Sequence, residues 1–110
     1  MNFTKVKIVT TVPINSADNI RQVLGESGGG IIGEYSFCSF SVIGNGYFTP
    51  SKDAKPYIGK PNQSEIVKEE RIEIICDRSK AKSVIIAMKL AHPYEQPICD
   101  IYPLIDELEL

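Results

Sequence analysis

Pro93 limits the folds open to this chain of 110 residues more than any other residue. Proline has no N–H with which to continue a helix, and it drives the residue before it out of the α region. The apolar-periodic run over 79–91 must therefore stop, with His92, the single histidine, at its exit. Tyr94, Glu95 and Gln96 follow on a turn stiffened by Pro93 and Pro97. Two readings of that place stand side by side. Carbonyls at a helix C-terminus lack intrahelical partners and carry partial negative charge, so the imidazole can cap them with Glu95 beside it. Alternatively, an imidazole, a phenol and a carboxylate on one rigid turn form the wall of a binding site.

The rest of the chain supplies strands and one more helix. Lys5 to Val12 is β-branched with apolar groups on both alternating faces, and Pro13 closes it, which predicts a central strand. Asn15 or Ser16 is the expected cap of a helix carrying Ala17, Ile20, Val23 and Leu24 at helical spacing, with a glycine exit at Gly28-Gly29-Gly30. A phosphate loop follows a strand and opens a helix; here the glycines follow a helix, and no Gly-Lys-Ser/Thr comes after them. Ile31 to Ile43 reads as a long second strand, Gly44-Asn45-Gly46 as a hairpin turn, and Tyr47-Phe48 as the ladder resuming. Four prolines and glycines, Pro50, Pro56, Gly59 and Pro61, then make Thr49 to Asn62 an irregular loop over about 49–63, of a length that suggests function.

Glu65 to Asp77 becomes alternating in its second half, with Ile72, Ile74 and Cys76 inward and Arg71, Glu73 and Ile75 outward. It is the predicted third strand, antiparallel to the second, and Arg71 with Glu73 suits cross-strand salt bridging. Ser79 is the expected cap of the second helix, whose stripe of Ala81, Val84, Ile85, Met88 and Ala91 makes Met88 core filling. Pro97 and Pro103 bracket a short fourth strand, Ile98 to Tyr102, and an acidic tail follows to Leu110 with room for one turn of helix.

The order β-α-β-β-α-β predicts an α+β, ferredoxin-like single domain over 1–110, a four-stranded antiparallel sheet with both helices on one face. The other face has nothing in this chain to cover it, so copies of the chain are expected to cover one another as a homo-oligomer. A net charge of -2 gives no basic footprint for nucleic acid. No apolar run is long enough to span a membrane, and Met1 to Pro13 lacks the pattern of a secretory leader, which predicts a cytoplasmic protein. Cys38, Cys76 and Cys99 are odd in number with no C-x-x-C pair, and are expected as reduced, small core residues.

Several motifs are shared with a known family: Gly30-Ile31-Ile32-Gly33-Glu34-Tyr35-Ser36-Phe37-Cys38-Ser39-Phe40, Gly44-x-Gly46-x-Phe48-x-Pro50, Pro56-x-Ile58-Gly59, Glu69-x-Arg71-Ile72-Glu73, and His92-Pro93-Tyr94-Glu95-x-Pro97-x-x-Asp100-Ile101-Tyr102-Pro103-Leu104. Over roughly residues 4–105 the chain resembles the PII/CutA-like domain inserted in Nif-three-type (YqfO-type) dinuclear-metal proteins, here as a stand-alone chain. The His-Pro-Tyr-Glu turn also resembles the corresponding part of CutA, the divalent-cation-tolerance protein. The resemblance implies a ferredoxin-like subunit that packs as a homotrimer. In the larger proteins two flanking halves hold the metals, and one histidine cannot build a two-metal hydrolytic site. Gln96 stands where the family pattern has a second acid.

The expected function is a non-enzymatic trimeric module binding a small molecule, a divalent metal ion or a partner protein at clefts between subunits. Its candidate ligand-binding residues are Tyr35, Ser36, Ser39, Arg71, Glu73, His92, Tyr94 and Glu95, with His92 and Glu95 as the candidate metal ligands. Two alternatives belong to other classes. One is an accessory subunit of a metal-dependent hydrolase, by analogy; the other is a small enzyme pairing His92 with Cys99 or Cys38.

Overall fold

The computed structural model describes Asn2 to Leu110; Met1, included in the expected 1–110 domain, lies outside the described residues. The elements are β1 (Lys5–Pro13), α1 (Ala17–Glu26), β2 (Phe40–Phe48), β3 (Glu65–Asp77), α2 (Arg78–Ala91) and β4 (Asp100–Leu104). The strands form one antiparallel sheet in the order β2-β3-β1-β4. This is the ferredoxin-like arrangement expected from the sequence.

Alternation decides which residues reach the core. Val6, Ile8 and Val12 of β1 and Ile72, Ile74 and Cys76 of β3 join Ala17, Ile20 and Leu24 of α1 and Ala81, Val84 and Met88 of α2. Each large side chain so buried contributes about 1.5–3 kcal/mol of transfer free energy. β1 lies between β3 and β4, and its Val9 is only 1% exposed on the face away from the helices, as suits a central strand.

The second strand starts at Phe40 and not at Ile31. Gly30, Gly33 and Phe37 all take positive φ, of 75°, 57° and 57°, and no strand survives three left-handed residues. The segment instead turns back on an Ile32–Tyr35 bridge and is tied down by Gly30 N–H donating to the Ile75 carbonyl and Cys38 N–H donating to that of Gly30, both at 2.8 Å. Cys38 is accordingly half-exposed and outside the core, against expectation, whereas Cys76 is in it and Cys99 packs against it.

Gly44-Asn45-Gly46 is likewise no hairpin turn: the three residues lie within β2, opposite Glu69, Lys68 and Val67. The return to β3 is made by the loop from Thr49 to Ser64, so the tripeptide has no turn to make. Neither predicted cap is made. Ser16 holds the N-cap position of α1 without a side-chain bond, because a tight 3-10 turn over Ile14–Ser16 leads into the helix. Ser79 lies inside α2, which runs straight on from β3, and Arg78 N–H donates to the Thr4 carbonyl at 2.8 Å instead. β4 begins at Asp100, not Ile98, and takes in Pro103 opposite Val6; an edge strand tolerates the missing N–H. The tail forms one 3-10 turn, Glu107–Glu109.

The β1–β3 pairing stops at Glu69, whereas β2 and β3 stay paired as far as Glu65. The outer part of this ribbon therefore projects beyond the sheet. The extents are 48 × 28 × 23 Å and the radius of gyration is 15.3 Å, against about 13 Å for a compact chain of this length.

Candidate functional site

The root of the projecting ribbon, the loop after it and the His92–Gln96 turn enclose a cavity of about 490 Å³. The turn is built from α2 outward. His92 caps the helix with its N–H donating to the Met88 carbonyl at 2.9 Å, in extended conformation as the residue before proline must be. Its ring is buried and fully engaged: Nδ1 accepts from Tyr94 N–H at 3.1 Å, which leaves the proton on Nε2 to donate to the Thr11 carbonyl at 2.8 Å. Burial lowers its pKa, only partly opposed by the Thr11 bond and by the charge of Glu69.

Tyr94 stands over the cavity. Its ring lies 5.0 Å from that of His92, 6.2 Å from Phe48 and 6.4 Å from Tyr57, all tilted. Its hydroxyl donates to Glu69 Oε2 at 2.6 Å, and burial followed by this bond pushes the phenol well above its ordinary range. Glu69 is buried on the cavity wall, pressed against the backbone of Gly46, where any Cβ would collide with its carboxylate. Glu95 lies on the opposite rim and accepts from Lys55 N–H at 3.0 Å, pinning the loop to the turn.

The remaining candidates sit elsewhere. Arg71 and Glu73 lie on the open sheet face, where Lys7 Nζ at 3.0 Å and Arg71 Nε at 3.1 Å both reach the Glu73 carboxylate. Those two cations, Lys7 first, hold the Glu73 carboxyl below its ordinary range. The network crosses two strands, with Lys7 on β1 and Arg71 and Glu73 on β3. Ser39 and Glu73 line a second cleft of about 190 Å³ with Lys7, Cys38 and Phe40. Tyr35 and Ser36 project from the irregular 31–39 segment into solvent.

Thus the structure gathers His92, Tyr94 and Glu95 at one place and Ser39, Arg71 and Glu73 at another. A metal held by His92 would have to displace one of the backbone partners of its ring. No group of three or more His, Cys, Asp or Glu side chains is placed to hold a metal among the described residues. Burial raises the thiols of Cys76 and Cys99 above their ordinary value. Glu69, Phe48 and Tyr57 are the residues that sequence reasoning passed over as site residues. The available signal was a Gly-x-Gly pair in a strand register facing an acid, which marks a place where a side chain needs the glycine's space.

Fold and motifs together define a CutA-type ferredoxin-like domain. The structure of CutA from Archaeoglobus fulgidus superposes with a TM-score of 0.68 at 18% identity, over 96% of this chain and 88% of that one. No family model matches the chain. The Bacillus cereus protein related to NIF3 superposes with a TM-score of 0.81 at 41% identity, over 94% of this chain but 26% of that one. The GTP cyclohydrolase 1 type 2 homolog of Halalkalibacterium halodurans is 43% identical over 103 residues, which is 94% of this chain and 28% of the relative. The chain is therefore homologous to one domain of these NIF3-related proteins, and it spans about a quarter of their length. Among the described residues no helix is long and apolar enough to cross a membrane.

Proposed function

We propose that the chain is a homotrimeric, non-catalytic binding module, cytoplasmic, that takes a small molecule, divalent metal or partner protein in clefts between its copies. The observation that carries this reading is the contrast between the sheet's two faces. One is sealed by helices, while Phe40 and Val42 on the other, and Tyr47 and Ile66 on the ribbon, remain 65%, 46%, 71% and 64% exposed. Tyr47 and Ile66 lie on the opposite side of the ribbon from Phe40 and Val42, so exposed apolar side chains offer contact surface on both sides. A second copy supplies the same surface with the same chemistry, and a projecting ribbon gives each copy a lever to lay across its neighbour. The two separated sets of candidate residues then become the two walls of one cleft, Tyr35, Ser36, Ser39, Arg71 and Glu73 from one copy facing His92, Tyr94 and Glu95 of the next.

The engaged nitrogens of His92 and the raised thiol of Cys99 favour binding over the small-enzyme alternative, since both nitrogens of the proposed base are already bonded to backbone groups. The relation to NIF3-related proteins supports the accessory role beside metal-holding domains as a second reading. Phe40→Asp combined with Val42→Asp tests the assembly. The pair is expected to release monomers that keep the wild-type far-UV spectrum, read by sedimentation velocity. An unchanged oligomer would overturn the reading.

A further inference from the structure

Taking the chain as a binding module, we infer that the cavity beneath Tyr94 receives an organic cation, an ammonium group carried on an apolar body. Four observations converge on that chemistry. First, the volume of about 490 Å³ falls within the range of roughly 300–1,000 Å³ typical of small-molecule sites. Second, the charged side chains on its wall are Glu69 and Glu95, with no Lys, Arg or His among the described lining residues.

The third observation sets two neighbouring acids against each other. Glu69 and Glu70 are both buried, at 7% and 9% exposure. Glu70 points to the helix side and is ion-paired with Arg21. Glu69 points to the cavity and has a neutral phenol, Tyr94, as its bonded partner, with no ion pair among the described residues. A carboxylate withdrawn from water without a countercharge is held at a cost, which an incoming cation relieves. The protein neutralises one acid internally and presents its twin to the void.

Fourth, aromatic rings form part of the wall. Phe48 and Tyr57 each meet Tyr94 at a tilt, 56° and 54°, so that ring faces bound a corner next to the carboxylate. Ring faces attract ammonium groups electrostatically, and they solvate alkyl substituents that a bare carboxylate would not. Gly46 completes the arrangement, because a side chain there would push Glu69 aside.

The test titrates isotope-labelled full chain with 2-phenylethylammonium, with 2-phenylethanol as its neutral counterpart and 3-phenylpropionate as its anionic one. The amine is expected to shift amides of 46–48, 56–58 and 94–96 saturably, at least about tenfold more tightly than the alcohol, with no saturable response to the acid. Glu69→Gln should remove about tenfold of the amine's affinity; should that variant fail to fold, Tyr57→Ala, in the loop, should remove at least about threefold. Equal binding of alcohol and amine, shifts elsewhere, or none up to about 10 mM overturns the cation site. Sedimentation of the same samples keeps the two proposals apart. A trimer that ignores the amine refutes the ligand class, whereas a monomer that binds it refutes the assembly.

Discussion

The two halves of β3 differ in what surrounds them: the strand pairs with β2 from Glu65 to Glu73 and with β1 from Glu69 to Asp77. From Ile72 to Cys76 the strand has β1 on its other side and helices above it, and its alternate residues are buried. From Glu65 to Lys68 it has β2 alone; Ile66 lies in solvent, and Glu69 opens onto a cavity at the junction. The inner half completes its burial within the chain. The outer half has the hydrogen bonds of a sheet but leaves Ile66 and its β2 partner Tyr47 exposed.

Substitutions break this comparison in graded fashion. The largest effect is expected in the core that covers the inner half: Leu24→Ala or Met88→Ala, on the helices packed there, should lower stability by about 3 kcal/mol, read from urea midpoints at fixed protomer concentration. Ile66→Ser, in the outer half, should leave the stability of the isolated subunit within about 0.5 kcal/mol and weaken association instead. An equal cost at both places would erase the distinction. Gly30→Ala comes next, at about 2–3 kcal/mol, because the residue has φ of 75° and its Cβ would press on the Cys38 backbone.

His92→Gln should cost about 1–2 kcal/mol through loss of the bond to the Thr11 carbonyl. It should also flatten the acid limb of stability. The folded-state pKa of His92 is lowered, so the unfolded chain binds the proton more readily, and stability rises with pH. The His92 contribution is intact above the ordinary histidine pKa of about 6.5 and is lost as pH falls toward the lowered value, which urea midpoints at neutral and mildly acidic pH will show. A wild-type midpoint that improves on acidification in a His92-dependent way would reverse the assignment. Gly46→Ala should cost least, under about 1 kcal/mol, because its φ is ordinary and only the end of Glu69 must move; loss of the Tyr94–Glu69 bond would show in the tyrosine absorbance.

The contrast also explains what the sequence disclosed. The packed half was legible because alternation in β1 and β3 and helical spacing in both helices each report burial against the chain itself. The order of elements followed, and so did the end of the second helix at His92, although the imidazole reaches the Thr11 carbonyl of β1 and not the carbonyls of the helix end. Residues 31–39 and the Gly44-Asn45-Gly46 stretch misled because their β-branched and turn-forming side chains suit more than one backbone path. The choice was made by Gly30 bonding to Ile75 and by a long return loop, contacts far apart in sequence. The aromatic cavity was half visible. Tyr94 and Glu95 stood out beside a lone histidine, but Glu69 looked like one more outward charge in an alternating strand. Its burial depends on Gly46 and Tyr94 arriving from two other elements.

The account depends most on the open face and ribbon being covered by sister chains, and sedimentation equilibrium of the wild-type protein at micromolar concentration tests this most directly. A single species of three times the 12.2 kDa chain mass is the result expected. A lone 12.2 kDa species, with Phe40 and Tyr47 left in water, would contradict it.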